Sequence, residues 1–461
     1  MCVYNLVMYV IFQGKIDLLT LKELMYSNVY NMSYSFTTLI TGVNSVANTI
    51  DDVYVKINNV GLKYKSDDDV VIIYSDINQR TGTQMSDDTK SIVIDKKTFQ
   101  PIVSQYNKII YNTDTIEFLQ DKKWENVTIK ECYEGTMIIV FNHANKWYVC
   151  TRKCLDAKKS FWVKDVSYYD LFMDAIDGKF TFDDLNKNYC YHFILLHYQN
   201  KNIVGYPHLG NKYKTVALAM TTEKYTLKKL DSVINDKIIY PKEIKCSSLH
   251  DAIEQLELIS KNDVLNHCIS TEGYIIEYIA NDVVTLLKMQ TRLYTYVASV
   301  KPNINNLAAM FLELYQKDQL INVSPFFVQN SRDVIGRINN SMKTMSMEFL
   351  QIYHSTRNHK NPEIYNQLPK SYKDILYAIH GIYKKKIENE LNKQSQSDTM
   401  NTLIDRKSIT IYDIYNCLKK IDPYTLRRAY TDRIELLDSV PMHQYLNREC
   451  FDTLLQGRYM C

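Results

Sequence analysis

Four short blocks in the middle of the chain constrain its fold more than any other feature. They are Cys132-Tyr133-Glu134-Gly135-Thr136, Tyr189-Cys190-Tyr191-His192-Phe193, Glu272-Gly273-Tyr274-Ile275-Ile276 and Leu286-Leu287-Lys288. β-prone runs surround them. Met137 to Phe141 and Lys146 to Thr151 follow the first block, with Asn142 to Asn145 as a turn, which predicts a hairpin. Tyr191 to Leu196 and Tyr274 to Ile279 read as strands, and Val283 to Lys288 follows the latter across Ala280-Asn281-Asp282. Ser91 to Asp95 is a further β-rich run. The middle of the chain is therefore expected to be α+β with antiparallel pairs.

After about residue 300 the pattern changes to helical spacing, clearest where Ile375, Ala378, Ile379, Ile382, Tyr383 and Ile387 share one face. The polar stretch Asn392 to Thr402 predicts an exposed loop, and Lys384-Lys385-Lys386 a solvated helix face. At roughly 100 to 200 residues per domain, 461 residues allow two or three domains. The expected division is an α+β domain over residues 1–300 and an all-α domain over 301–461.

Composition bounds the chemistry. A hydrophobic content of 46% with 23% charged residues argues for a globular chain with a substantial core. A formal net charge of +3 is too small for a general nucleic-acid binder, so any basic groove must be local. The apolar opening Met1 to Phe12 lacks a basic start and falls short of the roughly 20 residues that span a bilayer, so it is expected to be a buried strand or helix. Ten cysteines without a tight framework, and no secretory signal, predict reduced thiols and a cytoplasmic location. Cys150-x-x-x-Cys154 and His192-x-x-x-x-His197 suggest metal, but structural zinc needs four ligands in paired clusters, and the two histidines would face opposite sides of a strand. No P-loop, dinucleotide-binding glycine pattern, catalytic serine elbow or internal repeat is present.

Together the blocks resemble the phage-type RNA ligase 1 family of ATP-dependent ligases over roughly residues 85 to 300. Thr89-Lys90-Ser91-Ile92-Val93-Ile94-Asp95 and Gln105-Tyr106-Asn107-Lys108-Ile109-Ile110-Tyr111-Asn112 resemble the segment in which a basic residue and a lysine, here Lys90 and Lys108, approach the nucleotide phosphates. Glu134-Gly135-Thr136 resembles the end of the nucleophile motif, Arg152 falls at the next basic motif, and Asn200-Lys201-Asn202-Ile203-Val204 resembles the stretch after the third. Glu272-Gly273-Tyr274 is the best single match. The resemblance implies an antiparallel-sheet nucleotidyltransferase domain followed by the helical region. It further implies Glu134 and Gly135 at the nucleotide, with Glu134 at the ribose, Lys288 on a phosphate, and Glu272 orienting nucleotide or magnesium. ATP and Mg2+ would be required if the chain is active.

Three departures weaken that chemistry. Cys132 stands where the family has a lysine that attacks the α-phosphorus, His192 where it has a glutamate, and Leu286 where it has the first lysine of the last block. Two rescues can be drawn from the sequence. Lys130 lies two residues before Cys132, on the same face of an extended strand and roughly 6 to 7 Å away, so a local bulge would bring it into place. Cys132 would serve as a thiolate only if neighbouring lysines lowered its pKa.

The leading expectation is an RNA-ligase-like protein that is impaired in or lacks lysyl-AMP formation and acts as a nucleotide- or RNA-binding or scaffold module. The alternatives are an active RNA ligase using Lys130, or a structural subunit of a viral assembly whose Tyr-rich C-terminal helices contact protein partners. Enrichment in Tyr, Asn, Ile and Lys resembles the AT-rich coding of large cytoplasmic DNA viruses and some cellular genomes, so a viral source is expected, with the protein in host cytoplasm or virion.

Overall fold

The computed structural model describes residues 49–76, 89–105, 109–163, 165–280, 283–304, 306–328, 331–358, 361–394 and 408–446. Met1 to Phe12, Lys108 and the turn residues Asn281 and Asp282 lie outside the described residues, as does most of Asn392 to Thr402. The chain forms two compact units, Met1–Tyr294 and Thr295–Cys461. The first is mixed α+β with largely antiparallel sheets, and the second is helical.

In the first unit the elements are α1 (Ile50–Asn59), β1 (Leu62–Ser66), β2 (Val70–Ser75), β3 (Ser91–Asp95), β4 (Pro101–Ser104), β5 (Ile110–Tyr111), α2 (Asn112–Leu119), β6 (Val127–Cys132), β7 (Thr136–His143), β8 (Lys146–Cys150), β9 (Phe161–Val163), β10 (Val166–Ser167), α3 (Tyr168–Ile176), β11 (Tyr189–His197), β12 (Lys214–Glu223), β13 (Lys229–Leu230), α4 (Leu249–Leu265), β14 (Gly273–Ala280) and β15 (Val283–Gln290). The helix α5 (Arg292–Val300) follows. Three sheets carry the fold, with strand orders β1-β2-β3-β4, β13-β12-β11-β7-β8 and β5-β15-β14-β6.

Period-two alternation explains how each sheet finds its layer. In the first sheet, Val71, Ile73, Ile92 and Ile94 pack on Val53 and Ile57 of α1. Their neighbours Val70, Ile72, Val93 and Val103 pack on Ile139, Phe141, Tyr148 and Cys190 of the five-stranded sheet. The other face of that sheet, through Ile138, Val140, Phe193, Leu195 and Val216, buries Leu171, Phe172, Ala175 and Ile176 of α3. In the third sheet Tyr274, Ile276, Leu287 and Met289 pack on Ala252 and Leu256 of α4, which frees the alternate residues for the opposite face.

The predicted hairpin is β7 and β8, joined at Ala144 and Asn145, whose φ of 49° and 60° match the left-handed turn that suits strand twist. Strands β14 and β15 pair in full register from Gly273↔Gln290 to Ala280↔Val283.

In the second unit the helices are α6 (Leu307–Gln316), α7 (Leu320–Val323), α8 (Ser331–Tyr353), α9 (Pro362–Gln367), α10 (Lys370–Gln394), α11 (Ile411–Lys420) and α12 (Pro423–Leu437). The buried stripe of α10 is Tyr372, Ile375, Leu376 and Ile379, about one turn earlier than the spacing suggests, because Tyr372 packs on Phe349 of α8. Ile382, Tyr383 and Ile387 are only half-buried. The same helix continues through Asn392 to Gln394, where a loop was expected. No helix among the described residues is long and apolar enough to cross a membrane.

Candidate functional site

All three sheets contribute to one cavity of ≈ 720 Å³. The first sheet brings Ser75 and Lys90, the five-stranded sheet Met137 and Ile194, and the third sheet Lys130, Cys132, Ile275, Glu277, Leu286 and Lys288. Lys130 and Cys132, two apart on β6, share the cavity face, and so do Leu286 and Lys288 on β15. Six of the eight expected nucleotide-binding residues, Lys90, Glu134, Gly135, Arg152, Glu272 and Lys288, line the cavity.

Two glycines permit the strands to meet there. A side chain on Gly135 would place its Cβ 2.4 Å from the Leu195 carbonyl oxygen. Gly273 has φ of 145°, and a Cβ there would lie 2.1 Å from the Met289 carbonyl oxygen. Both positions therefore exclude any larger residue.

The thiol of Cys132 is buried and donates to Glu272 Oε2 at 3.6 Å. Burial pushes its pKa up to about 12, with Lys288 pulling the other way and losing. Burial therefore works against the thiolate rescue, because desolvation outweighs the neighbouring lysine. The bulge needed by the other rescue is absent: β6 pairs with β14 without a break from Val127↔Tyr278 to Cys132↔Gly273. Lys130 is held by Glu277, whose Oε2 lies 3.2 Å from its Nζ, while Lys229 takes Oε1 at 2.6 Å.

Glu134 does not present a carboxylate to a ribose. Its Oε2 accepts from the backbone N–H groups of Ile203 at 2.9 Å and Val204 at 2.7 Å, and its Oε1 from Asn202 Nδ2 at 3.1 Å and the Tyr294 hydroxyl at 2.8 Å. A carboxylate offers about four acceptor sites, and four donors use them. Here it ties the loop at Asn202 to Val204 and the first turn of α5 to the cavity wall. Glu272 is likewise committed, accepting at Oε1 from Lys288 Nζ at 2.6 Å and Gln290 Nε2 at 2.8 Å. Among the described residues no group of three His, Cys, Asp or Glu gathers to hold a metal. Glu272 Oε2, which among the described residues accepts from the weak thiol donor of Cys132, fits magnesium as a single protein ligand alongside substrate phosphates.

His192, expected at the nucleotide, is fully buried within the five-stranded sheet and is not part of the cavity wall. Its Nε2 lies 3.5 Å from the Thr222 hydroxyl, and burial drives its pKa down to about 3, so it is a neutral core imidazole. His197 faces the other side of β11 and pairs with Asp174 at 2.9 Å.

The cationic side of the cavity is built by Lys90, Arg152 and Lys288. Arg152 Nη2 donates to the Ser75 carbonyl at 2.9 Å and its Nε to the Lys90 carbonyl at 3.5 Å, so it clamps the end of β2 to the start of β3. The Lys90 amine is brought down to about 8, first by burial and then by the adjacent Arg152 and Lys288 charges. Lys288 moves the other way: burial opposes its charge, but the Glu272 carboxylate 2.6 Å away holds the ammonium above the ordinary lysine range. The sequence reading missed Tyr294, Tyr206, Glu277 and Gln290. Glu277 alone carried a local signal, as the one acid inside the apolar strand β14. Tyr206, whose hydroxyl bonds the Glu134 backbone, carried none.

No family profile matches the chain. It is 26% identical over 152 residues to the Immediate-early protein ICP-46 homolog of Invertebrate iridescent virus 3, a match that covers 30% of this chain and 34% of that protein. The chain thus spans about a third of the length of the curated relative that it matches. Among solved structures it is similar to two forms of an archaeal ATP-dependent RNA ligase, at 11% and 12% identity and TM-scores of 0.35 and 0.38, over 62% and 64% of this chain and 75% and 79% of theirs. None of these similarities fixes a chemistry for this chain.

Proposed function

We propose that the first unit is a ligase-like nucleotidyltransferase domain that binds the polyphosphate of a nucleoside triphosphate and forms no enzyme–nucleotide bond at Cys132. The observation that carries this reading is the convergence of Lys90, Arg152 and Lys288 on one cavity large enough for a nucleotide. The cavity's carboxylates offset this unevenly. Glu277 meets Lys130 and Lys229, Asp76 meets Lys63 and Lys153, and Glu272 meets Lys288. Lys90 lies beside two further cations, an arrangement that an incoming phosphate would relieve.

Calorimetry with ATP, GTP and inorganic tripolyphosphate tests the reading. Binding of both nucleotides, weakened at least about tenfold by Arg152→Met, is the expected result. No heat at millimolar nucleotide would overturn it.

A second reading concerns the helical unit. Tyr377, Tyr412 and Tyr424 expose 76%, 71% and 67% of their surface, which supports a protein partner there, as in a subunit of an assembly. Co-purification from infected or expressing cells, lost on replacing the three tyrosines with serine, is the result that this reading requires.

A further inference from the structure

We infer that Lys90, and not Lys130, is the nucleophilic amine of the cavity, and that nucleotidyl transfer to the protein, displaced from the position of Cys132, falls on Lys90 Nζ. This inference rests on the nucleotide-binding reading above and goes beyond it.

The three described lysines of the cavity differ in what holds them. Lys288 Nζ is 2.6 Å from Glu272 and Lys130 Nζ is 3.2 Å from Glu277, so each ammonium is committed to a carboxylate. Lys90 has no carboxylate partner among the described residues, and the charged groups acting on its amine are Arg152 and Lys288. Asp76, which also lines the cavity, is held by Lys63 and Lys153. Desolvation and neighbouring cations are the two circumstances that leave a lysine amine unprotonated near neutral pH. The amine's lowered pKa, about 8, agrees with that placement. Arg152 adds position, because its guanidinium holds the carbonyl of the same residue and so fixes where the side chain starts.

The step balances without an oxidant or a further co-reactant. The Lys90 Nζ lone pair attacks the α-phosphorus of a nucleoside triphosphate, the N–P bond forms, and the bond from the α-phosphorus to the bridging oxygen breaks. Pyrophosphate leaves with that electron pair, and the amine proton passes to solvent. Lys288 and Arg152 line the same cavity and would receive the phosphate charge.

Two measurements test this on the full chain. In nucleotide-free protein, trinitrobenzenesulfonate followed by peptide mapping reads amine reactivity directly. Lys90 is expected to react at least about tenfold faster than Lys130 and Lys288 at pH 8, with a rate that rises as pH passes about 8. With α-labelled ATP or GTP, an acid-labile adduct is expected on the Lys90 peptide. The label should fall at least about 100-fold in both Lys90→Met and Lys90→Arg, the latter keeping the charge and losing the nucleophile. Nucleotide binding without any label, or a label that survives in both variants, overturns the inference and leaves the binding reading intact. Equal reactivity of the three amines also overturns it. Absence of nucleotide binding by calorimetry overturns both.

Discussion

Buried charge is handled in opposite ways in the two units. In the helical unit Arg433 and Glu348 are 4% and 3% exposed and meet in two bonds, Nη2 to Oε1 at 2.6 Å and Nε to Oε2 at 2.9 Å. Beside them Asp432 accepts from the Ser371 hydroxyl at 2.7 Å and from Arg428 at 2.8 Å. There each buried carboxylate meets a guanidinium. In the α+β unit the pair Lys288–Glu272 is similarly close, but Lys90 is half-buried beside cations and faces a cavity. A closed network stabilises a packing arrangement, whereas an open one is stabilised by whatever anion completes it.

The sharpest way to break this comparison is to open the closed network. Glu348→Gln should cost about 3–5 kcal/mol in urea unfolding, since it removes the carboxylate charge that meets the buried Arg433 in two bonds. A cost below about 1 kcal/mol would show that the helical network is no more closed than the cavity.

The next effect is on acid stability. The folded pKa of His192, about 3, lies below its ordinary 6.5. An unfolded chain therefore takes up a proton that the folded chain refuses, and the contribution of His192 is full above pH 6.5 and is lost as pH falls towards 3. Over that window the loss should reach roughly a few kcal/mol. Thermal melts should then fall less steeply from pH 6.5 to 4 in His192→Asn than in the parent, and parallel curves would mean that this imidazole titrates freely.

On the open side, Lys288→Met should weaken ATP binding roughly 10- to 100-fold, about 1.4–2.7 kcal/mol, while tripolyphosphate loses a similar factor. Loss for ATP alone would place the contact on the nucleoside instead. The smallest expected effect is Lys130→Ala. Glu277 keeps Lys229 at 2.6 Å, so stability should change by under about 1 kcal/mol and nucleotide affinity by less than about threefold. A larger loss of affinity would return Lys130 to the centre of the site.

Much of the fold was legible. The β-rich run over Ser91 to Asp95 coincides with β3, and the hairpin and the β14–β15 pair fall where alternation and turn residues put them. Local pattern suffices for these because strand faces and turns are short-range properties. Gly135 and Gly273, conspicuous as members of Glu-Gly pairs, owe their place to backbone approaches from Leu195 and Met289 that no local pattern reveals.

For the site, the sequence by itself determined which residue types lie on which strands, including a cysteine at 132 and a basic residue at each of Lys90, Arg152 and Lys288. Only the tertiary structure decided what those residues are free to do. Glu134 is used up by Ile203, Val204, Asn202 and Tyr294, which lie far along the chain. His192 sits one strand step from the cavity-lining Ile194 and is still buried, because the first sheet covers that part of β11. Lys90, Lys130 and Lys288 are chemically identical in a sequence. Burial and the charge of their neighbours separate them, and both are properties of how three sheets meet.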